Sequence, residues 1–175
     1  IEFQTQHEQP GSNSRMIDRH LRVGADATIA VRRVPIEEAS SFGTIHVDSD
    51  SFITGFEEKP RTPTPMPGST EFALASMGIY VFETHLLFDL LFRDATDPQS
   101  AHDFGKNIIP GLIQSRLVRA YPFRDKNTGG TPYWRDVGTL DAFYEANMDL
   151  VSVLPEFNLY DRRWPIRTRD RKSVV

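Results

Sequence analysis

Two short stretches carry residue types suited to phosphate chemistry. In Ile53-Thr-Gly-Phe-Glu-Glu-Lys-Pro60 an apolar run stops on two carboxylates, a lysine and a proline. Lys59 is a mobile point charge of the kind that holds an anion, and a lysine at a solvated strand end is equally the ordinary surface case. In Tyr133-Trp-Arg-Asp-Val-Gly-Thr139, Asp136 ends what reads as a strand and precedes a glycine and a helix start. A carboxylate in that position can hold Mg²⁺ against a phosphate; it can also pair with Arg135 or cap the following turn. His102 and Asp103 are adjacent, and sequence neighbours seldom face each other on a helix, so Asp103 reads as a helix-start residue rather than half of an acid/base pair. His20, alone on an amphipathic stretch, reads as a core-edge histidine. The sequence contains no H-E-x-x-H, G-x-S-x-G, G-x-x-x-x-G-K-[ST] or G-x-G-x-x-G, so a glycine-rich phosphate cradle is absent from it.

The elements that must position these residues follow from periodicity. Met16, Ile17, His20, Leu21 and Val23 fall near helical spacing, and Gly24 is a natural stop. Ala27–Val34 is rich in β-branched residues and reads as a buried strand. Thr44–Asp48 and Phe52–Glu58 read as a hairpin around Asp48-Ser-Asp-Ser51, with Phe52, Thr54, Phe56 and Glu58 on one face. A proline-rich loop follows, Lys59–Thr70, and then Ala73–Phe82, the longest apolar run, as a central strand. Leu86, Leu87, Leu90 and Leu91 form a helical stripe. A second helix opens at Ser100-Ala-His-Asp103, where Pro110 either kinks it or starts a new one. Leu117–Phe123 and Tyr133–Val137 read as strands around an Asp125–Gly130 turn, and a last helix is capped by Thr139 with a stripe of Leu140, Phe143, Asn147 and Leu150. Strands alternating with helices, plus one hairpin, predict an α/β sheet of mixed but mostly parallel strands. Ligands in such sheets lie beyond the carboxyl ends of strands, where "EEKP", "SMG" and "RDVGT" are expected.

The chain of 175 residues is long enough for one domain with a real core. Its 39% hydrophobic and 25% charged residues exclude a disordered or membrane class. No apolar run could span a bilayer and no secretory pattern opens the chain. Without cysteine there is no disulfide framework or thiolate metal site. A net charge of −4 argues against a nucleic-acid groove, and the Arg-rich stretch Asp161–Lys172 reads as a solvated terminus.

Six blocks in order, "VPIEEASSFGTIHVD", "GFEEKP", "ASMGIYVF", "HDFGKNIIP", "PYWRDVGTLDAFYEANMDL" and "LYDRRWPIRT", resemble the glucose-1-phosphate adenylyltransferases, also called ADP-glucose pyrophosphorylases. "EKP" and "DVGT" alone indicate only the wider sugar-phosphate nucleotidyltransferases, whereas "HDFGKNIIP" and "WPIRT" favour the adenylyl branch. The resemblance runs from about Met16 to Thr168. It implies a Rossmann-like catalytic sheet followed by a left-handed β-helix, and synthesis of ADP-glucose and pyrophosphate from ATP and glucose 1-phosphate with Mg²⁺. A cytoplasmic homotetramer acting in glycogen or starch synthesis is implied too. By motif, Gly43 would approach the product with its backbone, Glu58 and Lys59 would hold the sugar and its phosphate, and Ser76 would touch a glucose hydroxyl. Asp103 would help organise the sugar pocket, and Asp136 would be one of two metal aspartates. Lys59 and Asp136 are then expected on one phosphorylated hexose.

The family's glycine-rich N-terminal loop, base-binding segment, first metal aspartate and β-helix have no counterpart in this sequence. The expected organisation is therefore a tail over 1–15, the sugar-phosphate-binding part of a nucleotidyltransferase domain over 16–154 and a linker over 155–175. A chain of this kind is expected to be inactive alone and to expose a strand edge prone to self-association. Two alternatives are a noncatalytic sugar-phosphate-binding module or subunit, and a sugar nucleotidyltransferase using another nucleoside triphosphate.

Overall fold

The computed structural model describes residues 12–123 and 133–155, with side chains from residue 15 onward. The expected Asp125–Gly130 turn and the Arg-rich stretch Asp161–Lys172 lie outside the described residues, as do most of the 1–15 tail and the 155–175 linker. Two compact units divide the chain, residues 14–131 in one and residues 1–13 with 132–175 in the other.

Helix α1 (Ser12–Val23) begins four residues before the periodicity shows it. It ends on Gly24 at φ +61°, where the N–H of Gly24 donates to the Leu21 carbonyl and that of Ala25 to the His20 carbonyl. This pair of bonds is the glycine-terminated helix end in which two orphan carbonyls are satisfied. The chain turns directly into β1 (Ala27–Pro35), then through a 3₁₀ turn (Ala39–Ser41) into the hairpin β2 (Gly43–Val47) and β3 (Ile53–Glu58). Asp48 closes the hairpin by accepting the N–H groups of Asp50 and Phe52. Strand β4 (Phe72–Phe82) follows the proline-rich loop, and β5 (Val118–Pro122) completes a five-stranded sheet in the order β3-β2-β4-β1-β5. The longest apolar run is thus the middle strand, as its composition predicts.

The sheet is mixed, but parallel strands do not dominate it. Among the described residues only β1 and β5 run parallel, while β1–β4, β2–β3 and β2–β4 are antiparallel. The physical reason is connectivity: parallel pairing needs a long crossover, and the helical stretch between β4 and β5 is the connection that carries the chain to the far side of β1.

Alternation along β1 assigns the two faces. Ala27, Ile29 and Val31 join the main core with Ile45, Ile53, Leu74, Ile109, Leu112, Val118 and Ala120. Thr28 points the other way, where its hydroxyl meets Nδ1 of His20 on α1 at 2.9 Å. His20 is buried beside fully buried Met16, as a core-edge histidine should be.

On the main-core face lie α2 (Thr84–Thr96), a π-helical turn (Phe104–Ile108) and α3 (Ile109–Ile113). Of the expected α2 stripe, Leu86 and Leu90 pack against the core, whereas Leu91 is exposed. Pro110 sits in the first turn of α3 and starts a new helix rather than kinking an old one. The face expected for β3 also changes. A register shift opposite His46 and Val47 leaves Thr54 bulged and exposed, so Ile53, not Phe52 or Thr54, is buried with the core against which Phe56 packs.

In the second unit, Tyr133–Val137 is not a strand. Side chains anchor it instead: the Tyr133 hydroxyl donates to Asp149 at 3.0 Å, and Arg135 reaches the same carboxylate at 2.9 Å. Burial first, then the hydrogen bond to Asp149 and its charge, raises the Tyr133 pKa. Helix α4 (Leu140–Leu150) begins at Thr139, whose hydroxyl accepts the Ala142 N–H as predicted. Its packed face is Ala142, Ala146, Asp149 and Leu150; Leu140, Phe143 and Asn147 of the expected stripe are exposed. Asp149 is what displaces the stripe, because its carboxylate must face Tyr133 and Arg135.

Candidate functional site

The C-terminal end of β3 and the start of β2 meet in one ladder step, Gly43 opposite Glu58. The β2–β4 ladder pairs Thr44 with Ala75. Gly43 and Ser76 are the next residues on those strands, so Ser76, Gly43 and Glu58 form a row across three strands. At Ser76 the β4 strand bulges: Ser76 pairs with Val31, but the next pair toward the strand end is Tyr80 with Ile29. Gly78 takes φ +71° inside this bulge, and its N–H donates to Ser76 Oγ at 3.3 Å. "SMG" is therefore a mid-strand bulge rather than the strand end expected for it, and bulges re-aim side chains next to sites.

The Glu58 carboxylate lies over two glycines. A methyl group on Gly43 would come within 2.6 Å of Phe56 Cζ and 3.0 Å of Glu58 Oε2. One on Gly105 would come within 2.7 Å of Glu58 Oε2 and 3.3 Å of Asp103 Oδ1. Both positions must lack a side chain for this packing. Glu58 and Asp103 thus approach the same point from β3 and from the π-helical turn.

Asp103 is the cap of that turn, accepting the Lys106 N–H at 2.9 Å, while its own N–H donates to Asn107 Oδ1 at 3.3 Å. The turn is tied to β4 by aromatics: the Phe104 ring stacks on Tyr80 at 5.9 Å and meets Phe82 at 6.1 Å. Just before it, Asp94 accepts from Ser100 Oγ and lies 2.9 Å from His102 Nδ1. The Ser100 bond first, then that to His102, lowers the Asp94 pKa.

Lys59 follows Glu58 directly and is exposed, with φ +46° and its N–H donating to the Phe42 carbonyl at 3.2 Å. A left-handed lysine is strained by about 1–2 kcal/mol, and such outliers concentrate where geometry serves a site. His102, at φ +53°, is a second one beside Asp103.

Asp136 belongs to the other unit and is described there. It is exposed, and its Oδ1 accepts the Gly138 N–H at 3.1 Å, one residue before the cap of α4. Among the described residues no group of three or more His, Asp and Glu side chains is gathered to hold a metal ion. A lone exposed carboxylate held by one turn bond can supply an oxygen ligand to a divalent cation whose shell phosphate and water complete.

Of the residues singled out in the sequence, Gly43, Glu58, Asp103 and, by strand register, Ser76 and Lys59 share one region of the 14–131 unit. Gly105 and the Phe104 aromatic contacts are additions. The glycine two residues after Asp103 was a readable signal of close approach; the aromatic stacking, joining positions far apart in the chain, had none.

The arrangement offers two carboxylates for hydroxyl hydrogens, a cation for an anionic group and bare backbone for close approach. Against known proteins, the nucleotidyl transferase family matches residues 7–153. The chain is 56% identical over 153 residues to the glucose-1-phosphate adenylyltransferase of Rhodopirellula baltica, covering 87% of this chain and 34% of that protein. It is 56% identical over 154 residues to the enzyme of the same name from Saccharophagus degradans, covering 87% and 36%. With glucose-1-phosphate adenylyltransferase 2 of Alkalilimnicola ehrlichii the identity is 52% over 157 residues, covering 90% and 37%. The chain spans about a third of the length of these relatives. The family match takes in the β1–β5 sheet, the carboxylate-lined turn and α4 alike, and on that extent the chain belongs to the nucleotidyl transferase family.

Proposed function

We propose that this chain supplies the sugar-phosphate-binding part of a glucose-1-phosphate adenylyltransferase, which joins glucose 1-phosphate to ATP and releases pyrophosphate and ADP-glucose. The observation that carries the reading is the meeting of Glu58 with Gly43, Gly105 and Asp103 directly beside Lys59. Glu58 and Asp103 accept hydroxyl hydrogens of the hexose, Ser76 adds a further polar contact, and Gly43 lets the ligand reach the backbone. Lys59 binds the phosphate as a point charge. Attack of a sugar-phosphate oxygen on the α-phosphorus of ATP asks for positioning and charge neutralisation more than for an acid or base. Asp136 holds Mg²⁺, and a bound divalent ion neutralises phosphate charge. The setting is the cytoplasm and the assembly a homotetramer, both read from the family resemblance.

Calorimetric titration of the chain with glucose 1-phosphate tests this reading. Saturable binding is expected, weakened at least about tenfold by Lys59→Ala or Glu58→Gln, the scale of one charge-assisted bond. Equal affinity in parent and variants would overturn it. With ATP, Mg²⁺ and glucose 1-phosphate present, the chain alone is expected to form no ADP-glucose, because the sequence holds no glycine-rich phosphate cradle; product formation would contradict that part.

A further inference from the structure

Helix α2 carries Asp94 in its last turn, where the helix dipole disfavours an anion. Its side chain is 13% exposed, and the segment that follows engages both oxygens. Oδ1 accepts from Ser100 Oγ at 2.5 Å, and Oδ2 lies 2.9 Å from His102 Nδ1. Ser100 Oγ in turn accepts the His102 N–H at 3.0 Å. Ring and backbone of His102 are thus both tied to this cluster, at a residue whose φ is +53°. Asp103 comes next: its carboxylate accepts the Lys106 N–H and lies 3.3 Å from a methyl group placed on Gly105, which Glu58 would also meet. A change of φ at His102 would swing Asp103 away before anything else. Glycine takes a positive φ without strain but has no side chain by which to be held there. Histidine tolerates the left-handed region better than most residues, and its ring adds a tether.

We propose that His102 is a positioning residue for Asp103: the Asp94–Ser100–His102 cluster fixes the left-handed bend from which Asp103 reaches the hexose. The proposal deepens the sugar-phosphate reading and rests on it. A site is precise when the residues touching the ligand are held by a further layer of hydrogen bonds. Here that layer starts from α2, whose Leu86 and Leu90 pack on the core, and passes through one carboxylate to the π-helical turn.

Asparagine at residue 102 separates the tether from the ring. It adopts the left-handed region readily and carries Nδ2 one bond from Cγ, where histidine carries Nδ1. Glucose 1-phosphate affinity, measured by calorimetry, should fall at least about tenfold in His102→Ala and in Asp94→Ala, and stay within about twofold of the parent in His102→Asn. The Lys106 amide proton reports on the Asp103 carboxylate without any ligand. Its resonance should move in both alanine variants and stay in place in His102→Asn, while the Ile29 amide in the core stays in place in all three and shows that they fold. A Lys106 resonance unmoved by loss of His102 or Asp94, or moved equally by His102→Asn, would overturn the proposal. Movement of that resonance with unchanged affinity would confirm the tether and overturn its role in binding. Absence of binding in the parent would overturn the sugar-phosphate reading itself, with the Lys106 resonance still deciding the tether.

Discussion

Lys59 holds a backbone conformation that most residues avoid, with φ +46°. At an ordinary loop position glycine is less stable than alanine by about 0.4–1 kcal/mol, because it frees the unfolded chain. Here the order should invert. Lys59→Gly relieves a strain of about 1–2 kcal/mol that Lys59→Ala retains, so the glycine variant is expected to unfold at the higher denaturant midpoint while both lose glucose 1-phosphate affinity. An alanine variant more stable than the glycine one would show that the residue is not strained. The charge of Lys59 was legible in the sequence; its strain was not, because the position is fixed in the fold by long-range contacts such as the bond from its N–H to the carbonyl of Phe42, seventeen positions earlier.

At the scale of elements, the strand and the π-helical turn differ in how they would tolerate the same change. Gly43→Ala drives a methyl group into the Phe56 ring, which packs on the core, at a cost of about 1–3 kcal/mol. Gly105→Ala meets only the end of the exposed Glu58 side chain and the Asp103 carboxylate. It should change stability by no more than about 1 kcal/mol, yet displace Glu58 and weaken sugar-phosphate binding. Thermal denaturation of the two variants, with binding measured alongside, checks this; a larger stability loss in Gly105→Ala would contradict the packing. The same contrast explains which elements could be read in advance. β1, β4, the hairpin and the C-terminal end of α1 at Gly24 follow from local composition and turn chemistry. The bulge at Thr54, the exposed stripe of α4 and the loss of a strand over Tyr133–Val137 follow from long-range partners, His46 and Val47 in the first case and Asp149 in the other two. Periodicity cannot see such partners.

For the molecule as a whole, His20 is a pH-sensitive point of the fold. Burial lowers its pKa below 6.5, against the opposing pull of Asp26 and Glu83. The unfolded chain therefore binds the proton more readily than the folded one. Stability from a neutral His20 is fully present above 6.5 and is lost as the pH falls below that value toward the lowered folded pKa. Urea denaturation across this range should show the decline, and His20→Gln should flatten it; an unchanged slope in the variant would assign the decline to other groups. The sheet that His20 helps to cover presents Ser76, Gly43 and Glu58 in one row, and on that row the functional reading rests. Its most direct test is a titration of isotope-labelled chain with glucose 1-phosphate, followed by amide resonances. The amides of Gly43, Glu58, Lys59, Ser76, Gly78 and Asp103–Gly105 should shift together and saturate at a common concentration. If those amides stay still while others move, or if none moves, the row across β4, β2 and β3 is not where the hexose phosphate binds.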